Sequence, residues 1–422
     1  MANFELRDYQ KQVISELNHL PAYALYLGTG TGKTIVALEL LTYNPTSNLL
    51  VVCPHNAIEQ WKMTIQSHYP HFNILEFKKS WSSTKINDYL KTVENVKNKV
   101  IVINYDMVYR VPILLDMVNQ TWTVIADEIH RIKNYGTRTK PVKATRFMID
   151  IGYKTHFKMG LTATPTQGNF GGYIDYYSQL KFLGYTELTY KGFYDKHVMW
   201  QNKSYGTSPY PVKTIVGYKD TVEIDNLLKI IAKRYTPVYG DFPPQFIKIE
   251  LERCKSYPKV VREKAYIEKG VRILLNNTSR SRIAKKTLTT GTIMGHDLQG
   301  YDYICEDNTV KLDWLYDFLQ DTSDVVSIFY TYNVELANLE NLMKRLNKRY
   351  IVINGATKNK YELVNAGGYD VVLGQFQAMS EALDGLHLFS HIEVFFSMPE
   401  SSIHYRQALG RIDRIGQKGV PI

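Results

Sequence analysis
The chain has 422 residues, more than one hydrophobic core usually organises, so two or three domains are expected. Apolar residues make up 44% and charged residues 22%, which excludes a chain disordered as a whole, and the net charge of +10 fits a polyanionic partner without requiring one. Three scattered cysteines (Cys53, Cys254, Cys305) exclude a disulfide framework or a thiolate metal site. The N-terminus MANFELRDYQKQ is polar and lacks a signal-peptide core. No later segment reaches the roughly eighteen apolar residues of a membrane span, so a cytoplasmic protein is expected.

In chain order, AYALYLG, NLLVVCP, KVIVINY and WTVIADE read as buried strands, each followed by a helical pattern or a Gly/Pro-rich turn. That alternation predicts an α/β lobe built on a parallel sheet covered on both faces. The first strand runs into GTGTGKT and then an apolar helix, the context of a phosphate-binding loop. Glycines at 28, 30 and 32 let backbone N–H groups face phosphates, Lys33 neutralises their oxygens, and the Thr34 hydroxyl can hold Mg²⁺. Leu27 stands where the usual pattern has its first glycine. WTVIADEIHRIKN carries Asp127 and Glu128 to a strand's carboxyl end, where open parallel sheets bind ligands. There Asp127 suits a Mg²⁺ sphere and Glu128 suits orienting and deprotonating water.

From about residue 186 to 310 the pattern turns helical, basic and irregular, which predicts an insertion. Residues 252–286 hold eleven Lys/Arg against three Asp/Glu, with Tyr257 and Tyr266 among them. Arg280, Arg282, Lys285 and Lys286 are the candidate phosphate contacts of this stretch. A second strand series follows: VVSIFY, RYIVING, YDVVLGQF and HIEVFFSMP. The expected division is 1–185 for a first lobe, 186–310 for a helical protrusion and linker, and 311–422 for a second lobe. The pairs His68/His71 and His387/His391 have helical ligand spacing but no further ligand nearby, and are read as packing or surface residues.

Near the end QALGRIDRIGQ places Arg411 and Arg414 three residues apart, which a solvated helix face would also do. The motif order decides how to read them. DEIHRIKN resembles motif II of the Swi/Snf-related group within the superfamily-two helicase-like ATPases. LRDYQ (Leu6 to Gln10) is similar to the glutamine motif, VVCPHNAIEQW to motif Ia, INYD to motif Ib and GLTATPTQGNF to motif III. VVSIFYTYNVELANLENL resembles motif IV, residues 373–388 a degenerate motif V, and QALGRIDRIGQ motif VI.

The resemblance implies two RecA-like lobes in tandem with a helical, basic insertion between them, working with ATP and Mg²⁺. It implies nucleotide contacts from Gln10, Gly28, Thr29, Gly30, Thr31, Gly32, Lys33, Thr34 and Gln407, with Thr34 and Asp127 at the metal. Lys33, Asp127, Glu128, Arg411 and Arg414 become catalytic, the arginines reaching the nucleotide when the lobes close. His130, Thr162 and Thr164 become coupling residues, while Pro54, His55, Asn104 and Tyr105 contact nucleic acid. Ile129 for a small residue, Ala163 for glycine and SEALDGLHL for a glycine-richer motif V depart from the group's pattern.

The leading expectation is a monomeric, DNA-dependent ATPase that translocates on duplex DNA and remodels DNA or protein–DNA complexes. A strand-separating or branch-migrating DNA or RNA helicase is the alternative. An inactive nucleic-acid-binding scaffold is a third, set against the retention of every chemical residue named above. A composition rich in Tyr, Lys, Asn and Ile fits an A/T-rich bacterial or phage genome. The ending GQKGVPI begins what reads as a strand and stops, which suggests a shortened second lobe.

Overall fold
The computed structural model describes residues 5–44, 46–78, 80–137, 139–166, 172–203, 211–235, 244–252, 256–263, 265–268, 271–274, 278–296, 302–306, 309–380, 385–399, 402–413, 417 and 419–422. Contacts divide the chain into two units, Met1–Pro237 and Val238–Ile422. This division does not coincide with the boundaries near 185 and 310 expected from the pattern.

The first unit is built on β1 (Ala22–Leu27), β2 (Asn48–Cys53), β3 (Asn73–Ile74), β4 (Lys99–Asn104), β5 (Trp122–Asp127) and β6 (Phe157–Leu161). An antiparallel hairpin follows, β7 (Val198–Lys203) with β8 (Val212–Tyr218), and then β9 (Ala232–Tyr235). Apart from the hairpin, the strands form one sheet in the order β3-β4-β2-β5-β6-β1-β9, with every pairing parallel. All six residues of β1 and all six of β2 are buried, as continuous apolar strands covered on both faces must be. Parallel pairing brings the carboxyl ends of β1, β2, β4, β5 and β6 to the same sheet edge. The phosphate loop after β1 and the acidic pair after β5 therefore flank the end of β6.

β6 has the weakest apolar signal of the central strands, because FKMGL carries a lysine and a glycine. Lys158 is 8% exposed and gives its ammonium to the Gly152 carbonyl at 3.0 Å, with burial holding its pKa down to about 8. Gly160 has a different job. A Cβ there would lie 2.4 Å from Ile129 Cδ1, so the missing side chain makes room for the large residue that replaces a small one in the acidic box.

The second unit holds hairpins β10 (Ala265–Glu268) with β11 (Val271–Leu274) and β12 (Thr292–His296) with β13 (Asp302–Glu306). The stretch expected to be mainly helical is thus mixed, and segments such as VKTIVGY and DYICE are β-branched and aromatic enough to favour strands. The basic helix Thr278–Leu288 lies between the two hairpins. Beyond them a parallel sheet of β14 (Val326–Tyr330), β15 (Tyr350–Ile353), β16 (Val371–Gln375) and β17 (Ile392–Phe395) has the order β15-β16-β14-β17. These are the four strands expected from the second apolar series. Ile422 adds to β17: its N–H donates to the His391 carbonyl at 2.8 Å, and its carbonyl accepts the Glu393 N–H at 2.8 Å.

Glu335, fully buried, ties this unit together. Its carboxylate accepts the N–H groups of Thr331 and Tyr332 at 2.8 and 2.9 Å, capping the helix Asn333–Arg345. It also accepts the Ser397 hydroxyl at 2.9 Å and the Thr290 hydroxyl at 3.0 Å. The sheet, the segment after β17 and the turn after the basic helix are thereby held by one side chain. Among the described residues no helix is long and apolar enough to cross a membrane.

Candidate functional site
The phosphate loop is shaped by its glycines. Gly30 and Gly32 have φ of 70° and 73°, a left-handed conformation that side chains with a Cβ resist. Gly32 caps the helix Lys33–Leu41, so that helix's N-terminus faces the loop. The Thr31 hydroxyl donates to the Gly28 carbonyl at 2.7 Å, closing the turn. The Lys33 ammonium donates to the carbonyls of Leu27 and Gly28 at 3.1 and 3.0 Å, which keeps its charge at the loop. Gln10, 5% exposed, spans the motif: its Nε2 donates to the Thr31 carbonyl at 3.0 Å and its Oε1 accepts the Arg7 N–H at 3.0 Å. Tyr9 donates to the same Thr31 carbonyl at 2.6 Å and stacks on Tyr235, with ring centroids 4.0 Å apart. Tyr235 belongs to β9 and its carbonyl accepts the Gly28 N–H at 2.7 Å. No sequence signal pointed to Tyr235, because it comes from a strand far along the chain.

Asp127 ends β5 and Glu128 follows it. Asp127 Oδ2 accepts the Trp61 indole N–H at 2.9 Å and Oδ1 accepts the Glu128 N–H at 3.0 Å, while its carbonyl takes the Tyr105 hydroxyl at 2.7 Å. Two donors thus fix the carboxylate and a third fixes the backbone that carries it. Trp61 closes the stretch VVCPHNAIEQW, lies on the helix Ile58–His68 and is 2% exposed. Burial, and then the Glu128 charge beside it, raise the Asp127 pKa above the ordinary aspartate range. The Lys33 charge offsets this only in part, and the carboxylate oxygens are the hard donors Mg²⁺ prefers. The Asp127 carboxylate and the Thr34 hydroxyl, in the first turn of the helix Lys33–Leu41, are donors of the kind that ion takes.

Glu128 has φ 52° and ψ 52°, an uncommon conformation for a residue with a side chain, which costs on the order of 1 to 3 kcal/mol. What holds it is a three-residue network. The buried Thr162 hydroxyl donates its single proton to Glu128 Oε2 at 2.8 Å and accepts the Thr164 N–H at 3.0 Å. His130 Nδ1 lies 2.9 Å from that hydroxyl and 3.1 Å from Glu128 Oε2. With the hydroxyl proton committed to Glu128, the remaining contact needs a proton on Nδ1, so the imidazole is the donor. Burial pushes the Glu128 pKa up, but hydrogen bonding and charge from His130, then the Lys33 charge and the Thr162 hydrogen bond, outweigh it and hold Glu128 below the usual glutamate range. The acidic box and LTATP are therefore joined directly at Glu128. Thr164 Oγ1 is buried with no partner among the described residues.

The nucleic-acid candidates of this unit separate. Asn104 Nδ2 and His55 Nδ1 approach to 3.2 Å at the carboxyl ends of adjacent strands, with His55 exposed. Pro54 is buried. Tyr105 corrects its expected role: at 5% exposure, with its hydroxyl on Asp127, it supports the acidic box from within the core rather than facing a nucleic acid.

In the second unit Gln407 is buried on the helix Ser402–Leu409. Arg411 follows the end of that helix, 5% exposed, its N–H donating to the Ala408 carbonyl at 2.8 Å. It is therefore no solvated helix-face residue. Arg414 lies outside the described residues. On the basic helix Arg282 is exposed, and Lys285 and Lys286 are partly so. Ala284, Thr287 and Leu288 pack inward, and the side chain of Arg280 lies outside the described residues.

A parallel α/β sheet with a glycine-shaped phosphate loop after one strand and an acidic pair after another defines the P-loop class of protein. The profile of the SNF2-related domain matches residues 25–291, more than half of the chain. The chain belongs to the SNF2-related family of helicase-like ATPases. It is 29% identical over 205 residues to protein p41 of Acyrthosiphon pisum secondary endosymbiont phage 1, covering 46% of this chain and 43% of that one. It is 25% identical over 318 residues to Helicase SWR1 of Eremothecium gossypii, covering 68% of this chain and 19% of that one. It thus spans less than half the length of either relative. Its fold is similar to the Hef helicase domain of Pyrococcus furiosus, with a TM-score of 0.51, 12% identity, and 97% of this chain and 94% of that chain covered.

Proposed function
We propose that this protein hydrolyses ATP with Mg²⁺ and couples hydrolysis to movement along duplex DNA, acting as a monomer in the cytoplasm of a bacterial cell or a virus's host. The observation that carries this reading is the single sheet edge at which Lys33, Asp127, Glu128 and Thr162 meet. Lys33 and the loop N–H groups hold the phosphates, while Gln10 and Gln407 serve the nucleotide. Asp127 and Thr34 hold Mg²⁺, which neutralises charge on the phosphate oxygens. Glu128 orients water in line with the γ-phosphate and takes its proton. Arg411 and Arg414 stabilise the charge that develops there. His130 and Thr162 link the state of Glu128 to the strand end, from which Thr164 carries it onward.

The test is steady-state ATPase activity alone, then with duplex DNA, single-stranded DNA and RNA. Duplex DNA is expected to stimulate turnover most, and Lys33→Ala to abolish it. A preference for a single strand or RNA would replace duplex translocation with strand separation.

Duplex DNA is proposed to run along the basic helix Thr278–Leu288. Reversing Arg280, Arg282, Lys285 and Lys286 to Glu is expected to lower duplex affinity and flatten its salt dependence, because fewer counterions are released. An unchanged salt slope would remove this helix from the track.

A further inference from the structure
The hairpin β7–β8 is rooted in the first unit and then leaves it. Val198 is 3% exposed, Lys219 N–H donates to the His197 carbonyl at 3.0 Å, and Tyr218 packs on Tyr173 with ring centroids 5.4 Å apart. Past that root every residue of β7 is exposed, including Met199 at 48% and Trp200 at 40%, and Val212 on β8 is 55% exposed. Leaving a Trp, a Met and a Val in water on an isolated two-stranded ribbon gives up burial that a folded chain normally takes. Such a surface calls for an occupant.

Charge says which occupant. Residues 196–219 contain four lysines and no aspartate or glutamate. Lys196 pairs with Glu223 at the root, but Lys203, Lys213 and Lys219 are exposed. Cross-strand pairing of Trp200 with Ile215 and of Asn202 with Lys213 puts these four on one face, and a bulge between Met199 and Trp200 re-aims the indole. The Lys213 ammonium lies 3.8 Å from the Trp200 ring centroid. With the ammonium over one face of the indole, the other face of the ring, the cation behind it and an amide side chain two residues on make a stacking platform with a phosphate partner. Duplex bases already have both faces covered by their neighbours, so the base this ring can take is an unpaired one.

We propose that the β7–β8 ribbon binds single-stranded DNA, with an unpaired base on the face of Trp200 that Lys213 leaves open and the adjoining phosphate on Lys213. This adds to the proposed duplex track a site for the free strand at a fork or end, and rests on the proposed function only for the choice of DNA.

The experiment is fluorescence anisotropy of labelled oligo(dT) and of a blunt duplex with the full chain, with Trp200→Ala, and with Lys213→Glu. Trp200→Ala is expected to weaken oligo(dT) binding about tenfold and to leave duplex affinity unchanged. Lys213→Glu is expected to weaken oligo(dT) binding and reduce its salt slope. Unchanged oligo(dT) affinity in both variants overturns the proposal, as does an equal loss on duplex and single strand. Because binding is read without ATP, these outcomes are separate from a failure of duplex-stimulated hydrolysis.

Discussion
Glu128→Gln is expected to lower ATP turnover by about 10²- to 10⁴-fold while leaving ATP affinity close to that of the unmodified protein. The substitution keeps the side chain's size and an oxygen able to accept the Thr162 hydroxyl, so the left-handed backbone at residue 128 and the link to LTATP persist. What is lost is a group able to take a proton from water. In the proposed site Lys33 and Asp127 would still hold the phosphates and the metal, so binding is expected to survive. The charge change has a second effect of known sign. Glu128 is one cause of the raised Asp127 pKa, so its neutralisation favours ionised Asp127 and strengthens rather than weakens Mg²⁺ binding. Single-turnover hydrolysis beside a binding isotherm for a fluorescent ATP analogue separates the two quantities. A turnover within a few-fold of the parent would take the base role away from Glu128, and a collapse of affinity would mean that it holds nucleotide instead.

Much of this geometry was legible because parallel sheets simplify it. Once AYALYLG and WTVIADE are read as parallel strands, GTGTGKT and Asp127 must share an edge, whichever strand lies between them. The intervening strand was harder to see, since Lys158 and Gly160 interrupt its apolar run and each has a tertiary reason that no local pattern contains. The bulky Ile129 looked like a departure from the family pattern. It is compensated by Gly160, thirty-one residues away in sequence and on the neighbouring strand.

Residues that act through a hydrogen bond were the least legible. Trp61 and Tyr105 are core, although the motif resemblance puts Tyr105 at nucleic acid, and each spends its polar atom on Asp127. Only the folded chain reveals where an indole N–H or a phenol points. The β9 strand and its Tyr235 were hidden for a related reason: they come from a stretch whose irregular pattern reads as an insertion, and only pairing with β1 brings them beside the phosphate loop. The mixed hairpins of residues 198–306 show the limit of periodicity when short strands alternate with short helices.

Arg414→Ala is expected to lower turnover by about 10³- to 10⁵-fold with ATP affinity retained, because a guanidinium on the γ-phosphate oxygens acts on charge that grows only toward the transition state. Its neighbour supplies the contrast. Arg411 is 5% exposed, with Ala408 and Ile412 buried on either side of it in the sequence, so Arg411→Ala removes packing as well as charge and is expected to lower the melting temperature of the protein. Thermal unfolding of Arg414→Ala beside it distinguishes a residue kept for chemistry from one kept also for the fold. The informative pair of measurements is therefore turnover and thermal unfolding on both variants, with Arg414→Lys as a third. Lysine keeps the charge but not the planar fork that engages two phosphate oxygens, so it should recover only part of the lost rate. Full recovery by lysine would reduce the requirement at this position to charge alone. Unchanged turnover in Arg414→Ala would leave the developing charge to Lys33 and the metal and remove Arg414 from the catalytic role.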